Sequence, residues 1–150
     1  MKVDVVTEAV IDRPRSEVAS YAADPTNAPK WYANIDTVTW KTPPPLRVGS
    51  MMTFVARFLG RRLEYTYEIV DLVPGERLVM RTAQGPFAME TTYTWRDASP
   101  GSTHMTLRNR GEPSGFASIA APMMSSAMRR ANLKDLASLK RTLENPFFRQ

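Results

Sequence analysis

The hydrophobic period of the chain changes once along its length, and this change limits the fold more than any other feature. Apolar and polar residues alternate, as in half-buried β-strands, over the runs 51–59, 63–72, 77–83, 87–96 and 103–110. Short turn sequences such as Pro74-Gly75-Glu76 separate these runs, so neighbouring strands are predicted to pair antiparallel. After Gly115 the apolar residues recur at helical spacing as far as Leu143, which predicts one long C-terminal helix.

The first third of the chain adds two more strands and two short helices. Residues 3–11 and 35–41 alternate like the later strands. Between them, Pro14 follows a capping aspartate, Pro25 stops a first short helix, and a second is predicted to end at Trp31-Tyr32. The predicted fold class is therefore α+β, with a seven-stranded curved antiparallel sheet wrapped around a long C-terminal helix and two short helices between strands 1 and 2.

A chain of 150 residues has the size of one domain. We expect residues 1–145 to form this domain and residues 146–150 to form a short tail, in which Phe147 and Phe148 either pack back on the domain or fray. Pro122 is predicted to kink the long helix or to separate a short leading helix, 116–121, from it. The sequence leaves the oligomeric state open, a homodimer included.

Composition excludes several classes of protein. The chain has no cysteine, so disulfides, thiolate metal sites and cysteine nucleophiles are excluded. No signal-peptide pattern and no apolar run of membrane-spanning length is found, so a cytoplasmic protein without a transmembrane segment is expected. The formal net charge is +5, but no nucleic-acid partner is predicted, because the strand arginines alternate as on a solvated sheet face. These arginines are Arg57, Arg81, Arg96 and Arg108.

The sequence offers no clear catalytic or metal-binding set. His104 and the strand glutamates Glu64, Glu68 and Glu90 alternate outward, and Asp71 is the one acid that a strand bulge could turn inward. Metal-ligand spacings, a phosphate-binding glycine loop and a nucleophile motif are all missing. We therefore assign no catalytic residue, no metal and no cofactor.

One helix cannot fill the concave face of so large a curved sheet, and the sequence therefore predicts a cavity between the two. The methionines of the helix suit the surface of an irregular ligand. The strand residues that we expect to meet a ligand are Phe54, Phe58, Tyr65, Tyr67, Met89, Thr91, Tyr93, Met105 and Asn109. The helix residues that we expect to do so are Met124, Met128 and Asn132. For each of them, packing in an ordinary core is the alternative.

Several segments carry a family resemblance that extends over nearly the whole chain. They are Ile11–Pro14, Ala22–Trp31, Val48-Gly49-Ser50, Tyr67–Leu78, Gly85-Pro86-Phe87 and Asn132–Lys140. Together they resemble the polyketide cyclase/dehydrase branch of the START-like (SRPBCC) superfamily, to which the birch-pollen-allergen-like proteins belong. The resemblance implies the helix-grip fold and the binding of lipids, sterols, polyketides, isoprenoid quinones or plant hormones, with catalysis in only some members. It also implies that Trp31 and Tyr32 lie at the pocket entrance, where they form an aromatic lid or, as the alternative, simply pack against their neighbours.

We therefore expect the chain to bind or transport a hydrophobic small molecule such as a lipid, polyketide, isoprenoid or quinone-like compound. The first alternative is an aromatic polyketide cyclase/dehydratase that shapes its substrate in the same cavity, since orientation alone lowers a cyclisation barrier. The second is a protein-interaction module like the toxin and quinone-chaperone relatives. An enzyme needs a polar side chain with a shifted pKa inside the cavity, whereas a carrier needs only apolar walls. The predicted inward faces favour a carrier.

Overall fold

The computed structural model describes residues 3–58, 60–112 and 121–148. Its strands are β1 (Val3–Ile11), β2 (Ile35–Trp40), β3 (Met51–Phe58), β4 (Arg61–Val73), β5 (Arg77–Gln84), β6 (Met89–Ser99) and β7 (Ser102–Gly111). Its helices are α1 (Arg15–Ala23), α2 (Ala28–Trp31), which a 3₁₀ turn over Pro25–Asn27 precedes, and α3 (Ala121–Glu144). The predicted order of elements is confirmed. Of the predicted leading helix, 116–121, only Ala121 is described, and it belongs to α3.

The seven strands form one antiparallel sheet in the order β1-β7-β6-β5-β4-β3-β2. Sequence neighbours pair from β2 to β7, whereas β1 pairs with β7, so that the first and last strands lie side by side. The two short helices lie between β1 and β2, and α3 packs most extensively on β1. This arrangement confirms the predicted α+β helix-grip fold.

The period of two along each strand decides which side chains face the helix. On β7, Met105, Leu107 and Asn109 are buried, and on β6, Tyr93 and Trp95 are buried at matching alternate positions. The two strands pair without a register shift over this stretch, Tyr93 opposite Leu107 and Trp95 opposite Met105. Their inward side chains therefore form one continuous face, most of it apolar.

The outer face of the sheet carries ion pairs. They join Arg57 to Asp36 at 3.0 Å, Arg81 to Glu90 at 2.6 Å and Arg108 to Asp4 at 2.6 Å. The fourth arginine of the predicted solvated face, Arg96, is exposed. Such exposed pairs contribute little to stability, and they keep this face in contact with water.

His104 and Asp71 lie away from the helix. The His104 ring contacts Glu8 at 3.0 Å across β1 and β7 on the outer face, as the sequence predicts. Strand β4 does bulge between Ile69 and Asp71, but the Asp71 carboxylate lies at the surface and contacts Arg77 at 2.5 Å. The idea that a bulge turns Asp71 into the cavity is therefore wrong.

Basic side chains fix α3 to the rest of the domain. Arg13 Nε donates to the Leu143 carbonyl at 2.6 Å, which satisfies an acceptor that the last turn of a helix leaves unpaired. Lys140 Nζ donates to the Val10 carbonyl at 2.6 Å, on the outer edge of β1. These bonds hold the C-terminal half of the helix and cover part of an edge that could otherwise pair with another strand.

The tail that follows α3 packs back on the domain through one of its two phenylalanines. The ring of Phe148 meets the ring of Tyr21 edge-on, with centroids 5.3 Å apart, and is partly buried. Phe147 is 85% exposed. Of the two alternatives for the tail, packing on the domain therefore describes Phe148.

Gly85 lies where a side chain would collide with the ring of Tyr65. A Cβ atom at this position would lie 2.4 Å from Tyr65 Cδ1, much closer than two carbon atoms pack. We expect Gly85→Ala to lower the free energy of unfolding by about 1–3 kcal/mol, measured by urea denaturation, because the ring must move. In a Tyr65→Ala background the same change should cost far less, and an equal loss in both backgrounds would contradict the collision.

Candidate ligand-binding cavity

A cavity that is partly open to solvent lies between α3 and the concave face of the sheet. Its volume is about 160 Å³, which is room for roughly five waters at the density of liquid water. Strands β2 to β7 and helix α3 form its walls, and residues of α1 and of the segment around α2 close one side. The larger apolar side chains of the wall include Met52, Phe54, Phe58, Met80, Phe87 and Met89.

Ten of the thirteen residues predicted to meet a ligand line this cavity. Eight of them lie on strands, where the alternation of side chains brings them to one face, and two lie on α3, where helical spacing does the same. They are Phe54, Phe58, Tyr65, Tyr67, Met89, Thr91, Tyr93, Asn109, Met128 and Asn132.

The other three, Trp31, Met105 and Met124, do not line the cavity. Met105 and Met124 are fully buried in the two core clusters, where helix and sheet pack closely. Trp31 is 1% exposed, and its ring packs on Tyr32 and Tyr93 with centroids 4.1 and 5.9 Å away. Trp31 therefore supports the cavity wall in this structure, and its role as a lid stays a prediction.

Two tyrosine hydroxyls meet in the wall of the cavity. Tyr32 directly follows α2, Tyr93 lies in the middle of β6, and their hydroxyl oxygens are 2.5 Å apart. Burial raises the pKa of both groups above the usual value, so both keep their protons near neutral pH. Because one hydroxyl donates to the other, the second proton of the pair is left to donate elsewhere.

The most unusual group in the cavity is the carboxyl group of Asp135 on α3. Asp135 is 3% exposed, lines the cavity, and accepts the backbone N–H of Ala33 at 2.9 Å. Burial raises its pKa from 3.8 to about 6, although the bond from Ala33 opposes the shift. The Asp135 charge also contributes to the raised pKa of Tyr32 and Tyr93, which places all three groups in one electrostatic neighbourhood.

The sequence reasoning missed Asp135, although a signal was present. Met128, Asn132, Asp135 and Leu139 follow one another at spacings of four, three and four, which puts them on one face of a helix. All four are buried. An aspartate on an otherwise mainly apolar helix face is therefore the sequence signal for this buried acid.

A cluster of three polar side chains, Tyr67, Thr91 and Asn109, links three strands of the sheet. Thr91 Oγ1 on β6 donates to Asn109 Oδ1 on β7 at 2.6 Å. Burial raises the pKa of Tyr67 on β4 to about 12, and a hydrogen bond with Thr91 opposes this shift. The orientation of these side chains is thus fixed within the sheet.

Two buried donors in the cavity stand out because nothing in the described residues satisfies them. The Tyr65 hydroxyl on β4 and the Asn132 amide nitrogen on α3 have no hydrogen-bond partner among the described residues. The side chains are 6% and 5% exposed. An unpaired buried donor costs about 1–3 kcal/mol, so a partner beyond the described residues, such as water or a ligand, is needed to satisfy these groups.

Charged side chains are scarce in the cavity wall. Arg57 lies at its rim, where the side chain is 73% exposed and pairs with Asp36 at 3.0 Å. Within residues 3–58, 60–112 and 121–148, no three acidic or histidine side chains are grouped to hold a metal ion. In the same part of the chain, no helix is both long enough and apolar enough to cross a membrane.

Solved structures of low sequence identity share the fold. A START superfamily protein from Mycobacterium smegmatis superposes with a TM-score of 0.81 at 14% identity, over 94% of this chain and 97% of that protein. The Zhui aromatase/cyclase from Streptomyces sp. R1128 gives 0.76 at 14% identity, over 97% and 98%. The major latex-like protein 151 from Panax ginseng gives 0.71 at 11% identity, over 94% and 97%. No curated protein sequence matches the chain significantly.

Sequence comparison identifies the family. The profile described as polyketide cyclase / dehydrase and lipid transport matches residues 2–144, which is nearly the whole chain. This match and the shared helix-grip fold confirm the resemblance seen in the sequence. The chain belongs to the polyketide cyclase/dehydrase and lipid-transport family.

Proposed function

We propose that this protein binds a hydrophobic small molecule in the cavity between α3 and the sheet and shields it from water. The observation that carries this proposal is the cavity itself, whose walls are mostly apolar and come from six strands and three helices. Ligand sites of this kind are concave, mainly apolar, and supplied with a few fixed polar groups. The Tyr32–Tyr93 pair, Asp135, Tyr65 and Asn132 are such groups.

A cyclase or dehydratase acting on a ligand in the same cavity is the second candidate function. Asp135 favours it, because a carboxyl group with a pKa of about 6 can give or take a proton near neutral pH. The Tyr32–Tyr93 hydroxyl pair adds a donor that can stabilise a developing oxyanion. One similar structure is that of an aromatase/cyclase, which supports this candidate by analogy of fold. The ion pairs on the outer sheet face do not favour a protein-interaction module.

Native mass spectrometry of gently purified protein tests the binding function directly. We expect a fraction of the protein to carry additional mass that organic extraction releases as a hydrophobic compound. A hydrophobic compound recovered in this way identifies the chemical class of the ligand. A protein that is empty and shows no thermal shift with lipids, quinones or aromatic polyketides would count against the proposal.

A further inference from the structure

We infer that Tyr65 and Asn132 determine ligand specificity, and that they select an uncharged ligand whose apolar frame carries an oxygen that accepts hydrogen bonds, of the ketone, quinone or ester type. This inference rests on the proposed binding function and names the chemistry that the cavity recognises. It depends on three features of the cavity wall: the kind of polar groups that lack partners, their position on two different walls, and the placement of charge.

The two unpartnered groups are both donors. The Tyr65 hydroxyl and the Asn132 amide nitrogen each have a proton to donate and no acceptor among the described residues. Burial raises the pKa of Tyr65 well above its usual value, so this hydroxyl stays protonated over the physiological range. A hydrocarbon in the cavity would leave both donors unpaired, or would have to leave water beside them, whereas an acceptor oxygen would satisfy them.

The two donors belong to opposite walls of the cavity. Tyr65 lies on β4, in contact with the rings of Tyr67 and Phe87 at centroid distances of 5.9 and 5.8 Å, and Asn132 lies on α3. The rings around Tyr65 present apolar surface to the frame of a ligand, while the hydroxyl group offers a hydrogen bond. The same wall can therefore hold an apolar frame and orient it by its oxygen.

The charges around the cavity disfavour an anionic ligand. Arg57 is the cation among the described lining residues, and it lies at the exposed rim, where Asp36 already neutralises it. The interior holds the Asp135 carboxyl group instead. A carboxylate ligand would enter without a cation to pair with, and a buried unpaired charge is very unfavourable. The wall therefore favours a neutral acceptor over a fatty-acid-like anion.

Binding of three compounds with one frame tests the inference. Fluorene is the hydrocarbon, 9-fluorenone replaces its methylene group by a carbonyl group, and fluorene-9-carboxylate adds a negative charge. Dissociation constants are measured by isothermal titration calorimetry for the wild type, Tyr65→Phe and Asn132→Leu. Tyr21→Phe is the matched control, because Tyr21 is buried but does not line the cavity. Each variant differs from the wild type at one side chain. The ratio of the fluorenone affinity to the fluorene affinity therefore reports the hydrogen bond to the carbonyl group, because the hydrophobic contribution of the shared ring system cancels.

We expect the ratio of fluorenone affinity to fluorene affinity to fall about 5- to 20-fold in Tyr65→Phe and in Asn132→Leu, and to stay unchanged in Tyr21→Phe. Fluorene-9-carboxylate should bind the wild type more weakly than either neutral compound. Circular dichroism and thermal unfolding verify that each variant is folded, and Tyr65→Phe, which removes an unpaired hydroxyl, should keep its full stability. If the neutral compounds bind and all four proteins share one ratio, the inference is overturned while the binding function stands. If neither neutral compound binds the wild type, the inference fails, whereas the proposed function is decided separately by native mass spectrometry and the thermal shifts with lipids, quinones and aromatic polyketides.

Discussion

Replacing Asp135 by asparagine is expected to raise the free energy of unfolding by about 3 kcal/mol at pH 7.5 and to change it very little near pH 4. The reason is that burial raises the pKa of Asp135 from 3.8 to about 6 in the folded protein. Above pH 6 the folded protein must hold a buried charge that the unfolded chain exposes to water. Asparagine carries no charge, and its side-chain oxygen can still accept the N–H of Ala33.

The sign of this pH dependence follows from where the proton is bound. Between about pH 4 and pH 6 the folded state keeps the Asp135 proton while the unfolded state has released it, so stability falls as the pH rises through this window. Surface acids behave in the opposite way. Hydrogen bonds from Arg108 and Arg81 lower the pKa of Asp4 and Glu90, and the stability that they contribute is lost as the pH falls below about 4. Asp4 and Glu90 are present in both the wild type and Asp135→Asn, so their contributions cancel when the two free energies of unfolding are subtracted.

Urea unfolding of wild type and Asp135→Asn at pH 4, 5, 6 and 7.5 measures this difference. The gain in the free energy of unfolding of Asp135→Asn over the wild type should grow between about pH 4 and pH 6 and level off above pH 6. Asp135→Leu is the matched control, because it also removes the charge but leaves the Ala33 N–H without its acceptor, and it should gain less than asparagine. A difference between wild type and Asp135→Asn that is the same at all four pH values would show that the carboxyl group titrates at its ordinary pKa.

A carboxyl group that lowers stability at neutral pH is typical of a functional site. Asp135 lies in one electrostatic neighbourhood with the Tyr32–Tyr93 pair, and its bond to Ala33 ties α3 to the residue that follows Tyr32. This arrangement fixes the acid relative to the two hydroxyls. It favours the cyclase or dehydratase candidate, because binding alone does not require an acid held beside two hydroxyl groups.

The strand part of the cavity wall could be predicted because its geometry is local. A period of two leaves only two faces, and once Tyr93 is placed inward, Met89 and Thr91 follow on the same strand. The alternation along a strand does not specify the distance between the helix and the sheet at each position. Met105 has the same inward orientation as Asn109 on β7, yet it packs in the core and Asn109 lines the cavity. That difference depends on tertiary packing.

The helical side of the cavity was less predictable. Trp31 lies in a four-residue helix, where no periodicity distinguishes an exposed aromatic side chain from a buried one. Its complete burial results from contacts with Tyr32 and with Tyr93, which is more than sixty residues away in the chain. Asp135 was predictable from its spacing on α3, but its proximity to Tyr32 depends on how α2 docks against that helix.

Filling the cavity from the helix is expected to abolish ligand binding without unfolding the protein. Ala131 on α3 lines the cavity, and Ala131→Phe would place an aromatic ring in a space of about 160 Å³. The ligand and the ring would compete for the same volume, so we expect the affinity for 9-fluorenone or for the extracted natural ligand to fall about 10- to 100-fold. Isothermal titration calorimetry measures the loss. Thermal unfolding of the empty variant should change little, because the added ring fills a void.

The control for this prediction lies on the same helix. Ala137 is exposed and does not line the cavity, so Ala137→Phe makes the same chemical change to α3 without occupying the site. We expect this variant to bind like the wild type. Because both substitutions carry the same change in helix propensity, a loss of binding confined to Ala131→Phe places the ligand between α3 and the sheet. Equal affinity in both variants would place it elsewhere on the molecule, and an equal loss in both would point to a disturbed helix.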